Sequence, residues 1–203
     1  MTIRLSRAQQ RERTQSELRR IARAEFLRQG YAATRLDTVA ELAGYSKGAV
    51  YSNFADKRAL CQAVLTDIRR EKFAEIAAIT SSSDDVDQIA DKLGDWIRAT
   101  VGDAEWTALE LEFSALARTD PTVHALTADA RREFSAAIAA LLTDVLGDPA
   151  ELAPGLPGVG DLADLLLSTG IGLGISRAFD PDVSLEPGIA GLKGLFGLLA
   201  ALR

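Results

Sequence analysis

The chain has 203 residues, 47% hydrophobic and 26% charged, which excludes a disordered or collagen-like protein and allows one domain or a small module joined to a larger one. Its one cysteine, Cys61, excludes a disulfide framework and fits a reducing compartment. The net charge of −6 is divided unevenly: 15 Lys/Arg stand against 8 Asp/Glu through Lys72, and 8 against 21 after it. Such a balance excludes a general polyanion binder and points to a local nucleic-acid footprint on the N-terminal third.

The first seventeen residues, "MTIRLSRAQQRERTQSE", hold no apolar segment of the kind a secretory signal needs. They form a basic arm, suited to a minor groove or phosphates and equally to solvent. Thr14-x-x-Glu17 reads as a capping box, so the first helix is expected to start there. Leu18, Ile21, Ala22 and Phe26 then share one face, and Gly30 can end the helix in a left-handed conformation. Thr34-x-x-Asp37 repeats the capping pattern and opens a short helix to Ala43. Gly44 breaks the chain, and Ser46 is a natural N-cap for a helix over 47–54. Asp56 caps a long helix to about Ile79, with Leu60, Val64, Leu65 and Ile68 inward.

Two amphipathic stripes follow, Val86/Ile89/Leu93/Trp96/Ile97 and Trp106/Leu109/Phe113/Leu116. Asp120-Pro121 starts another helix, with Val123, Leu126, Phe134, Ile138, Leu141 and Val145 inward. After the Pro/Gly loop "GDPAELAPGLPGVGD", two further helices are expected over 161–178 and 185–202. The apolar runs at 165–175 and 195–202 contain glycines and fall short of the roughly 18 residues a membrane span needs, so a cytoplasmic location is expected. No strand periodicity is evident. The expected fold is all-α, about nine helices: an N-terminal three-helix helix-turn-helix unit over residues 1–56 and a larger helical body over 57–203.

Residues 36–54 carry the strongest signal. Small Ala40 lets two helices approach, and Gly44, four residues on, permits the sharp turn. Val39, Ala43, Val50 and Phe54 face inward, which leaves Lys47, Gly48, Tyr51, Ser52 and Asn53 outward. That polar face, with its donors and one glycine, suits the edge of double-stranded DNA.

The stretch "GYAATRLDTVAELAGYSKGAVYSNFADKRAL", residues 30–60, resembles the N-terminal domain of the tetracycline-repressor (TetR) family of transcriptional regulators. Gly30-Tyr31, Ala33-Thr34, Val39-Ala40, Ala43-Gly44, Ser46-Lys47-Gly48, Tyr51, Phe54, Lys57 and Leu60 carry the likeness, in order and spacing. The resemblance implies DNA contacts from Thr34, Arg35, Tyr45, Ser46, Lys47, Gly48, Tyr51, Ser52, Asn53 and Lys57. Thr34 and Lys57 would lie at helix N-termini beside phosphates. Asn53 stands where the family usually has His, and Tyr45 where Val is common.

The last two helices are rich in glycine. Gly170, Gly174 and Ala178 recur at four-residue spacing, and Gly191, Gly194 and Gly197 at three. Each interior glycine costs a helix about 0.5–1 kcal/mol against alanine, so close packing must offset the loss. By resemblance the helix pair forms a homodimer interface, with Gly170, Gly174, Ala178, Gly191, Leu195 and Leu199 as candidates; packing within one chain is the rival. The resemblance also implies a small-molecule effector pocket, for which Trp96, Trp106, Glu110, Phe113, Phe134 and Ile138 are candidates. His124 lies in a helix's first turn. One His and one Cys do not make a conventional zinc site, and no catalytic constellation or cofactor motif is recognised. The expected function is a homodimeric repressor, released from a palindromic operator by an effector. A constitutive DNA-binding protein and, further off, a helical enzyme are the alternatives.

Overall fold

The structure is a computed structural model that describes residues 6–152 and 155–202. The described residues form helices and connections without a strand. In chain order these are α1 (Arg7–Ala33), α2 (Leu36–Leu42), α3 (Lys47–Asn53), α4 (Lys57–Thr80), α5 (Val86–Thr100), α6 (Ala104–Ala115), α7 (Pro121–Leu146), the single turn α8 (Pro149–Leu152), α9 (Val159–Phe179) and α10 (Glu186–Ala201). A 3₁₀ turn, Leu116–Arg118, separates α6 from α7.

Most starts obey the local capping signals. Asp56 accepts from the Ala59 amide, Asp85 from Asp87 and Gln88, and Asp120 from Thr122 and Val123. Two expected caps fail. The first helix begins at Arg7, because Ser6 and Gln9 form the capping box; Thr14 lies inside it and donates to the Gln10 carbonyl. Thr34 does not cap α2 either: the N-cap is Arg35, without a side-chain bond, and the Thr34 hydroxyl donates back to the carbonyls of Gly30 and Glu25.

The chain divides into two compact units. The first comprises residues up to 69 together with 108–127, and the second 70–107 with 128–203. In the first, Leu18, Ala22, Phe26, Val39, Val50, Leu60, Leu65, Leu109 and Phe113 lose essentially all solvent contact. Burying each of the Val, Leu and Phe side chains among them stabilises by about 1.5–3 kcal/mol. Tyr31 stacks on Phe26 and takes the edge of Phe113, with centroids 6.1 and 5.9 Å apart.

In the second unit, Ile89, Leu93, Leu142, Leu146, Leu162, Ala163, Phe196 and Leu199 draw α5, α7, α9 and α10 around one core. Gly94 brings α5 close to α10, since a Cβ there would lie 3.0 Å from Ile189. Arg98 bridges to Glu186 at 2.7 Å across the same pair of helices. Contrary to the reading of its apolar run, α9 is long and apolar enough, by length and composition, to cross a membrane. It holds Leu162 and Ala163 in the core while Leu165 and Ile171 face outward, which is why both of its faces read as apolar.

Candidate nucleic-acid interface

The turn between α2 and α3 is a Schellman motif built on Gly44. With φ at +72°, Gly44 donates to the Glu41 carbonyl, and Tyr45 donates to Ala40 at 2.9 Å. The left-handed conformation is what demands glycine here. Ser46 restarts the chain as N-cap, accepting from the Ala49 amide at 3.2 Å. Ala40 and Val50 are buried where α2 and α3 pack, with α1 behind them. The outward face of α3 then follows from helical period: Lys47, Gly48, Tyr51 and Ser52 are exposed, whereas Tyr45 and Asn53 are half-buried.

Of these, Lys47 and Tyr51 border an open concavity of about 310 Å³, lined also by Thr34, Arg35, Leu36, Asp37, Asp56 and Lys57. Three cations, two carboxylates and a phenol therefore meet in one depression between the starts of α2, α3 and α4. Lys47 ion-pairs with Asp37, its ammonium 2.9 and 3.0 Å from the two carboxylate oxygens. The bond that Lys47 donates to Asp37 raises its pKa above the ordinary lysine value. Lys57 donates to the Ala32 carbonyl at 2.9 Å and lies over the Tyr31 ring, 4.6 Å from its centroid. Burial lowers its pKa, which the charge of Glu112 partly opposes. Arg58 joins the two helix caps Asp56 and Asp120.

The predicted contact residues are thus not equivalent. Arg35, Lys47 and Tyr51 present functional groups at the concavity. Thr34 is buried, with its hydroxyl donating inward to the Gly30 carbonyl. Ser46 spends its oxygen on the cap, Ser52 donates to the Ala49 carbonyl at 3.0 Å, and the Asn53 amide does the same at 2.7 Å. The Asn53 Oδ1 is buried without a partner.

The effector candidates divide between the two units. Phe113 and Glu110 belong to the first unit; Trp96, Trp106, Phe134 and Ile138 belong to the second. Phe113 is fully buried against Tyr31, which makes it core rather than a pocket wall. Glu110 receives Arg69 through two bonds, at 2.9 and 2.6 Å. Trp96 donates to Glu75 at 2.7 Å, Phe134 meets the edge of Phe73, Trp106 is half-buried, and Ile138 packs on the second core.

The dimer candidates divide as well. Leu199 is buried in the core, Leu195 packs against it, and a Cβ at Gly174 would lie 3.7 Å from the Gly102 amide nitrogen. Those three serve packing within the chain. Among the described residues nothing would stand within 4 Å of a Cβ at Gly170 or Gly191, and Ala178 is half-buried. The contacts of Asp37, Glu112 and Arg69 with Lys47, Ala32 and Glu110 are not legible in the sequence, because the partners stand 10, 80 and 41 residues apart. Charge at the border of a turn was the only available hint.

Residues 18–64 match the family of bacterial regulatory proteins described as tetR family. Over 78 residues the chain is 36% identical to the HTH-type transcriptional regulator TtgR of Pseudomonas putida, a match covering 38% of this chain and 37% of that protein. Over 101 residues it is 31% identical to the HTH-type transcriptional repressor AcnR of Corynebacterium diphtheriae, covering 50% and 48%. The matches thus span about a third to a half of the length of these relatives. A TetR-family transcriptional regulator of Pectobacterium atrosepticum has a similar structure over 96% of this chain and 95% of its own, with a TM-score of 0.65 and 23% identity. Residues 18–64 thus match the tetR family in sequence, and the all-α fold of the chain is similar to that of a solved TetR-family regulator.

Proposed function

We propose that this chain is a homodimeric, DNA-binding transcriptional repressor that a small-molecule effector releases from a palindromic operator. The observation that carries the reading is the outward face of α3, where Lys47 and Tyr51 stand beside Arg35 and Lys57 around an open depression. A short helix after a tight turn, polar outside and anchored by Val50 and Phe54 inside, has the form that enters a major groove N-terminus first. Lys47, Lys57 and Arg35 supply phosphate contacts, and Tyr51 and the Gly48 backbone approach base edges. The basic charge of the N-terminal third concentrates DNA near this face.

Residues 1–56 act as the reading head and 57–203 as the effector and dimer part. Ile171, Phe179 and Leu198 are exposed at 48%, 78% and 55%, large apolar groups that a second copy would cover. Gly170 and Gly191, open on the surfaces of α9 and α10, would let two backbones approach there. Two copies would present two α3 helices to half-sites about one DNA turn apart. The effector contacts are assigned to Trp96, Trp106, Phe134 and Ile138. Effector binding acts through α4, and a coupling of about 1–3 kcal/mol would change operator affinity about 5- to 150-fold.

The test is fluorescence anisotropy of purified protein with a duplex taken from upstream of its own coding region. Lys47→Ala and Tyr51→Ala should each weaken binding about tenfold or more while leaving helicity and mass in solution unchanged. Loss of helicity in both variants, or wild-type affinity in both, refutes the assignment of α3.

A further inference from the structure

We infer that Asp37 acts as an internal stand-in for a DNA phosphate on Lys47, setting how strongly the head binds duplexes of any sequence. The inference rests on reading the head as a DNA-binding unit. The Asp37 carboxylate holds the Lys47 ammonium through both oxygens, at 2.9 and 3.0 Å, and both residues line the same depression. A backbone phosphate would offer that ammonium the same chemistry: two anionic oxygens at ordinary charge-assisted distance. The two side chains remain 60% and 51% exposed, so the pair is weak enough to exchange.

The neighbouring groups leave Asp37 as the carboxylate to be displaced. Asp56, the other acid on the wall, caps α4 through the Ala59 amide and is held by Arg58. Lys57 is engaged by the Ala32 carbonyl and the Tyr31 ring, and Arg35 is close enough to oppose the Lys47 charge. When a phosphate takes Lys47, Asp37 stays beside it as a like charge, and the protein trades one ion pair for another rather than gaining one. Lys47 therefore adds less to sequence-independent affinity than an unpaired lysine would. Base contacts from the same helix must then supply a larger share of binding.

The experiment measures anisotropy of the full chain with a mixed-sequence 30-base-pair duplex between 50 and 300 mM salt. Wild type, Asp37→Asn, Asp37→Ser, Lys47→Ala and the Asp37→Asn/Lys47→Ala double variant are compared, with helicity checked by circular dichroism. Asp37→Asn should bind about 3- to 10-fold more tightly at low salt, and its log K against log salt should steepen by about 0.9 per protomer. Asp37→Ser should follow it, and the gain should vanish in the double variant. Unchanged affinity in both Asp37 variants, with Lys47→Ala weakened, overturns the inference and leaves the DNA-binding reading intact. An equal gain with and without Lys47 also overturns it, because Asp37 would then act as a general surface charge. Absence of duplex binding by wild type at 50 mM salt removes the reading on which the inference stands.

Discussion

Substituting Gly30 by alanine tests how the end of α1 is pinned. Gly30 interrupts the helix with φ +80° and ψ 171°, a region that side chains with a Cβ rarely enter. Forcing alanine into it costs about 1–3 kcal/mol. A Cβ would also collide with Glu112 Oε1 and lie 3.0 Å from Oε2. The carboxylate ends a flexible, exposed side chain and can swing away, but it then releases the Ala32 amide that it accepts at 3.0 Å. With water available as a substitute partner, that loss is about 0.5–1.5 kcal/mol. The sum predicts about 1.5–4.5 kcal/mol of destabilisation, measured by urea unfolding followed by circular dichroism. Glu112→Ala alone should cost about 0.5–1.5 kcal/mol, and the double variant less than the two single costs added, since the clash disappears with the carboxylate. Strict additivity, or a Gly30→Ala cost below about 0.5 kcal/mol, would refute the proposed crowding. Because the Ala32 carbonyl also receives Lys57, the Gly30 variant should weaken duplex binding beyond what its stability explains.

Glu110→Gln leaves the Arg69 guanidinium, only 18% exposed, without its anionic partner. It should lower stability by about 1–3 kcal/mol in the same unfolding experiment, and a neutral outcome would mean the pair is incidental. Burial pushes the Cys61 thiol up to about 12, so iodoacetamide at pH 8 should modify native protein about 100-fold more slowly than urea-unfolded protein. Since the folded pKa exceeds the unfolded value of about 8.5, the contribution of Cys61 to stability is intact below that pH and falls as pH rises toward 12. Cys61→Ala should flatten this part of the stability profile, and an identical profile would contradict the buried-thiol account. Leu198→Glu and Phe179→Glu place charge on the exposed apolar surfaces of α10 and α9. Sedimentation should show a shift from dimer to monomer together with weaker operator binding, and unchanged mass in both variants would argue against this interface.

Much of the fold could be read locally because helix boundaries are made by neighbours in sequence. Ser46, Asp56 and Asp120 each bond to amides two or three residues ahead, and Gly44 alone provides the φ that its turn requires. The periodic burial of Leu18, Ala22 and Phe26, or of Leu60, Val64 and Ile68, follows from 3.6 residues per turn. Local reading failed where two signals of the same kind competed. Ser6-x-x-Gln9 and Thr14-x-x-Glu17 are both capping patterns, and the helix began at the earlier because nothing between them breaks it.

The turn at Gly44, the order of the helices and the polar face of α3 are legible in the residues alone, since these depend on contacts within about four residues. Tertiary structure decided which way each polar group was spent: the Thr34 hydroxyl inward, Glu110 to Arg69, Glu112 to the Ala32 amide, Asp37 to Lys47. It also separated Leu199 and Gly174, used by the chain's own packing, from Gly170 and Gly191, open to another surface. A charged or small residue has no preferred long-range partner until the chain has folded. Which one it meets is set by the three-dimensional approach of helices, and no local pattern encodes that distance.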